Sequence, residues 1–139
     1  MNTQEERHRT GIELMKRVHG GNSGEQLVRA VAGICPDFAD MTIEWGMGGI
    51  LARPGLDLKT RELLLVAACT TLGHAMPQLE AHVDAARRLG ASRVEIVETI
   101  LQMMFYAGGA AVANALLRAA EVLAKPASAG DCAEPSVGS

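Results

Sequence analysis

The sequence predicts an all-α protein. Apolar residues recur at helical spacing through most of the chain, capping signatures precede those runs, and Gly or Pro closes them. No window alternates apolar and polar residues strongly enough to argue for a sheet. The 139 residues, 48% hydrophobic and 21% charged, fit one domain with its own core and exclude a disordered chain. With one Trp, one Tyr and two Phe, that core is aliphatic.

The elements follow in order. Thr3 and Glu6 have capping-box spacing and open a helix with Ile12, Met15 and Val18 on one stripe, ended by Gly20-Gly21. Ser23 is placed to cap a second helix through Ile34, with Leu27, Val28 and Val31 inward. Cys35-Pro36-Asp37 breaks the chain, and Asp37 is the expected cap of a third helix carrying Phe38, Met41 and Trp45. Arg53-Pro54-Gly55-Leu56-Asp57 reads as a turn whose Asp57 caps a helix from Leu58 to Leu72. After Glu62 that helix is apolar almost all round, which predicts the central buried helix. Pro77 suits the first turn of the next helix, which runs to Leu89 and stops at Gly90. Ser92 and Glu95 make a second capping box for a helix through Tyr106. Gly108-Gly109 interrupts it, and Ala111 to Ala124 forms the last helix. The reading is one domain over residues 1–125 and a disordered tail over 126–139, where Pro, Ala, Ser and Gly dominate. The small residues around Gly108 and the abundant apolar surface of so short a chain predict a homo-oligomer.

Composition also excludes partners. Net charge is −3 and the basic residues are scattered, which argues against nucleic acid. The apolar run Leu63 to Cys69 is far short of the roughly 20 residues of a membrane span. Cys35, Cys69 and Cys132 have neither CxxC nor zinc spacing, and the first residues are polar, so a reduced, cytoplasmic protein is expected.

Two residues stand out chemically. His82 shares an apolar helix face with Leu79, Ala86 and Leu89. It reads either as a core histidine satisfied by one hydrogen bond or as an acid–base or oxyanion-donor group. Glu62 reads either as an early-helix acid favoured by the dipole or as a desolvated proton carrier. Arg53 is a loop cation that either holds a carboxylate or stays solvated, and His74 faces cleft or solvent. Tyr106 and Asn114 flank the glycine pair within reach of one cavity. Glu80 is expected to be exposed or at an interface, and His8 and His19 to lie on the surface. No phosphate loop, GxSxG, HExxH or strand-following GxGxxG is present.

Trp45-Gly46, Arg53 to Asp57, Thr60-Arg61, His82-Val83-Asp84-Ala85-Ala86, Leu89-Gly90, Glu95 to Glu98, Tyr106-Ala107-Gly108 and Asn114-Ala115 occur in that order. Over about residues 38–124 this pattern resembles the carboxymuconolactone decarboxylase family, in particular its γ-carboxymuconolactone decarboxylase branch. The resemblance implies the alkylhydroperoxidase-D-like helical fold of six or seven helices, assembled as trimers or hexamers. It implies decarboxylation of a lactone in aromatic catabolism without cofactor or metal. On that basis His82 is the expected donor to a dienolate oxygen and Glu62 the proton carrier. Arg53 is the expected carboxylate clamp, and His74, Tyr106 and Trp45 are expected to contact the substrate.

Where the family's redox branch carries its CxxC, this chain has Ala75 and Gln78, so peroxidase chemistry lacks both thiols. Ile50-Leu51-Ala52 replaces a second aromatic, and Ala110 stands where the family has Pro. These changes make the expected pocket more apolar. They bring forward an alternative substrate, a larger or less charged lactone or β-keto acid of a biosynthetic pathway.

Overall fold

The computed structural model describes residues 2–127. Along it run α1 (Gln4–His19), α2 (Ser23–Ala32), α3 (Pro36–Met41), a π-helix (Thr42–Leu51), α4 (Leu58–Leu72), α5 (Met76–Arg88), α6 (Arg93–Gln102), α7 (Met104–Ala107) and α8 (Gly109–Leu123). No strand occurs among the described residues, and no described helix is long and apolar enough to cross a membrane. Cys132 and most of the expected tail lie outside the described residues.

The local signals act largely as expected. Both capping boxes form, at Thr3–Glu6 and Ser92–Glu95. The Asp57 carboxylate accepts the Thr60 backbone N–H at 2.7 Å. Gly73 and Gly90 stop α4 and the α5 segment with φ of 76° and 95°, a backbone region that side chains disfavour.

Two caps differ. Asn22, one residue before the expected Ser23, caps α2 by accepting the Gly24 N–H. Helix α3 starts at Pro36, whose fixed φ suits a first helical position, so Asp37 falls inside the first turn. Two expected helices are also divided. The third continues from α3 into the π-helix, and the sixth breaks at Met103 into α6 and α7.

Two apolar clusters hold the fold. The larger joins Val66 of α4, Leu79 and Val83 of α5, Ile96 and Ile100 of α6 and Val112 of α8. The smaller joins Met15 of α1 to Ile43 and Met47 of the π-helix. Helix α2 packs on α1, α3 and α5, linking the two clusters.

Helix α4 is central, touching α5, α6, α7 and α8, but it is not buried all round. Leu64 and Leu72 are exposed, because no element among the described residues covers that side.

The contact of α1 with the π-helix depends on glycine. A Cβ on Gly48 would fall 1.9 Å from the Arg7 carbonyl oxygen, and one on Gly11 would fall 2.2 Å from that of Ile43. Both obstacles are backbone and cannot rotate away. Gly46, in the same π-helix, has open space around its virtual Cβ. Gly48→Ala is therefore expected to destabilise the protein by about 1–3 kcal/mol through overpacking. Gly46→Ala is expected to be neutral or slightly stabilising. Urea unfolding of the two variants checks this, and equal midpoints would contradict the close approach.

Candidate active site

Helix α4 presents Glu62 toward α5, one turn beyond the Asp57-capped end. The residue is completely buried. One carboxylate oxygen, Oε2, lies 2.7 Å from Nδ1 of His82 on α5. The other, Oε1, is buried without a hydrogen-bond partner among the described residues. Nδ1 of His82 is thus taken by Glu62, which leaves Nε2 as the ring nitrogen to present to a ligand. The imidazole retains 19% side-chain exposure, and that opening is onto a cavity.

The cavity encloses about 460 Å³, within the range of small-molecule sites. Leu27, Val31, Phe38, Trp45, Met47 and Leu65 form much of its wall, and its polar side chains are Thr42, Gln78, His19 and His82. No Lys or Arg lines it among the described residues. Phe38 and Trp45 are largely exposed as well as lining, which places them at its mouth.

His19 is a component that the sequence reading misplaced. It was expected on the surface, yet it is 4% exposed and its ring meets that of His82 edge-on at 5.6 Å. Gly24 makes room for it, since a Cβ there would fall 2.3 Å from His19 Nδ1. The turn after His19 is fastened to α5. Asn22 donates to the Asp84 carboxylate at 2.9 Å, and Arg88 donates to the Gly20 carbonyl oxygen at 2.9 Å. Burial pushes the His19 imidazole toward its neutral form, with the nearby Glu62 carboxylate pulling the other way.

The structure therefore brings together Glu62, His82 and Trp45 of the expected set. It does not bring Arg53, His74 or Tyr106 to the same cavity. Arg53 lines a neighbouring depression that shares Trp45 and Ile50 with the first, and its carbonyl oxygen accepts from Arg61 at 2.9 Å. His74 is exposed just after Gly73, where the chain turns to begin α5. Tyr106 is 95% exposed on α7, tilted against Phe105, and Asn114 is exposed on α8. Glu80 is half-buried in an ion pair with Arg118 of α8 at 2.9 Å. Gln78 of the cavity is the position identified above as a lost cysteine, one turn before His82.

The chain matches the sequence profile of the Carboxymuconolactone decarboxylase family over residues 36–121. It is 39% identical over 99 residues to an uncharacterised 15.0 kDa protein from the nqo9–nqo10 intergenic region of Paracoccus denitrificans, covering 70% of this chain and 74% of that one. It is 30% identical to the 4-carboxymuconolactone decarboxylase of Acinetobacter baylyi, covering 87% of this chain and 89% of the relative. It is also 30% identical to the nitrosuccinic acid decarboxylase npaB of Metarhizium robertsii, covering 83% and 82%.

The thiols stand apart from this arrangement. Cys35 is exposed, whereas Cys69 is buried, and desolvation together with the Glu62 charge pushes its thiol pKa up. Maleimide treatment of the folded protein at neutral pH is expected to modify Cys35 and leave Cys69 untouched until denaturant is added. Peptide mapping reads the outcome, and rapid native labelling of Cys69 would contradict it.

Proposed function

The chain belongs to the carboxymuconolactone decarboxylase family, and from that premise we propose that it is a decarboxylase in which Glu62 and His82 handle the proton. The substrate class is a lactone or keto acid whose carbonyl can receive the electrons of the broken bond. The observation that carries the reading is the 2.7 Å contact between a fully buried Glu62 and a His82 that opens onto a cavity.

The chemistry has two demands. Breaking the bond between carbon and carboxylate releases CO₂ and leaves an electron pair, which delocalises to an enolate oxygen. A proton must then be returned to carbon. His82 Nε2 is the cavity-facing donor to that oxygen, a stabilisation that is strong in a site shielded from water. Glu62, sharing a proton with Nδ1 on the opposite edge of the ring, fixes the ring and resupplies what Nε2 gives up. Glu62 is fully buried and does not itself line the cavity, so it reaches the substrate through His82.

The names of the two decarboxylase relatives fit the same scheme. One name carries a lactone and the other a nitro group, both electron-withdrawing groups.

The cavity lining favours the less charged end of the substrate class. Its walls are apolar and carry no cation among the described residues, so a substrate with one carboxylate and an apolar body fits better than a dicarboxylate. A second carboxylate would have to reach past Trp45 toward Arg53. This supports a biosynthetic lactone or β-keto acid over carboxymuconolactone itself.

A homo-oligomer, trimer or hexamer, belongs to the same proposal. Helices α4, α7 and α8 pack together yet leave Leu64, Leu72, Met104, Phe105, Tyr106 and Leu117 exposed. Light scattering is expected to give three or six times 14.7 kDa. A monomer would contradict this part.

The catalytic reading is tested by following CO₂ release from apolar β-keto acids and from γ-carboxymuconolactone. The keto acids are expected to give the higher kcat/KM. His82→Asn and Glu62→Gln are expected to lower kcat by about 10²–10⁴-fold, with unchanged circular dichroism. No release from any acid, or full turnover in folded His82→Asn, would overturn it.

A further inference from the structure

His19 has no role in the chemistry just described, yet the α1–α2 corner is built to hold it in place. One nitrogen of His19, one of His82 and one Glu62 oxygen all lie within 4.8 Å of one another. The three come from separate helices, α1, α4 and α5; His19 and Glu62 are buried, His82 is half-buried, and the two histidines line the cavity.

From this geometry we infer that His19, Glu62 and His82 form a binding site for a divalent first-row transition-metal ion. Two imidazoles and one carboxylate are a donor set for zinc, ferrous, manganous or cobaltous ions, leaving further positions for other ligands. His19 and His82 both line the cavity, which gives an ion a route of entry. Ligands about 2.0–2.2 Å from a tetrahedral ion lie about 3.4 Å from each other. Glu62 Oε2 and His82 Nδ1 meet at 2.7 Å, so ion binding must move that pair slightly apart.

Two further observations favour a cation. Glu62 Oε1 is a buried carboxylate oxygen with no hydrogen-bond partner among the described residues, a costly state that a metal relieves. Asn22 and Arg88 also tie the residues after His19 to α5 near His82, which holds the helices carrying the two histidines together. Bound there, the ion would displace the proton held between Glu62 and His82, so the proton chemistry above belongs to the metal-free chain.

The test uses the full chain stripped with chelator and titrated with Co²⁺ and with Zn²⁺ by calorimetry and visible absorption. One ion per chain is expected, with the absorption of four- or five-coordinate Co²⁺. His19→Gln and Glu62→Gln are each expected to weaken binding by about 100-fold or more. His8→Ala, which removes the separate half-exposed His8–Glu44 pair, is expected to leave it unchanged. Thermal melts of the metal-free variants check that they fold, and either glutamine variant alone suffices. Absence of binding, or binding that survives folded His19→Gln or Glu62→Gln, would overturn the site. The titration needs no substrate, so its failure leaves the decarboxylase reading standing, and failure of the CO₂ assay leaves the metal site standing.

Discussion

Removing a carboxylate from water costs several kcal/mol unless a partner and hydrogen bonds compensate. Glu62 is fully buried, and His82 is the group that compensates it, through one oxygen only. Much of the molecule follows from keeping that pair together. The Asp57 cap sets the start of α4, and Gly73 ends it so that α5 can return alongside. Val66, Leu79 and Val83 then lock the two helices together beyond the pair. The pair lies at the edge of this packing, where α5 meets the cavity.

The second half of the fold supplies the other side. The α1–π-helix unit carries Trp45 and Met47 to the cavity, and its close approach rests on Gly11 and Gly48. The wider π-helical turn changes which residues face inward, so Ile43, Met47 and Gly48 point to α1 while Trp45 stands at the cavity mouth. Such irregular helices often occur at functional sites. The corner after α1 brings His19 to the pair and ties it there through Asn22 and Arg88. A site built across both units couples binding to the relative placement of α1 and α5.

Much of this was legible in the sequence, for physical reasons that differ by residue. Helix starts were legible because Thr3, Asp57 and Ser92 offer oxygens to backbone N–H groups three residues on, a purely local interaction. Glu62 and His82 were legible because a polar group within an apolar face is unusual wherever the helix packs. His19 was not, because its burial depends on α2 folding back over it and on Gly24 leaving space, neither of which its own helix reveals. The π-helix was missed because periodicity arguments assume one pitch. Arg53 and Tyr106 were grouped with the pair by family pattern, but in this chain one lies beyond Trp45 and the other faces outward from α7. The exposed sides of α4 and α7 are apolar in sequence as if buried, and no element among the described residues covers them.

The central claim is that a bound acid meets the protein at His82, with Glu62 behind it. A crystal structure with an inert ketone analogue of an apolar β-keto acid tests it most directly. The account predicts the analogue in the cavity inside Trp45, its carbonyl oxygen within hydrogen-bond distance of His82 Nε2. An analogue seated in the Arg53 depression, or one whose carbonyl turns away from His82 toward the cavity mouth, would contradict it.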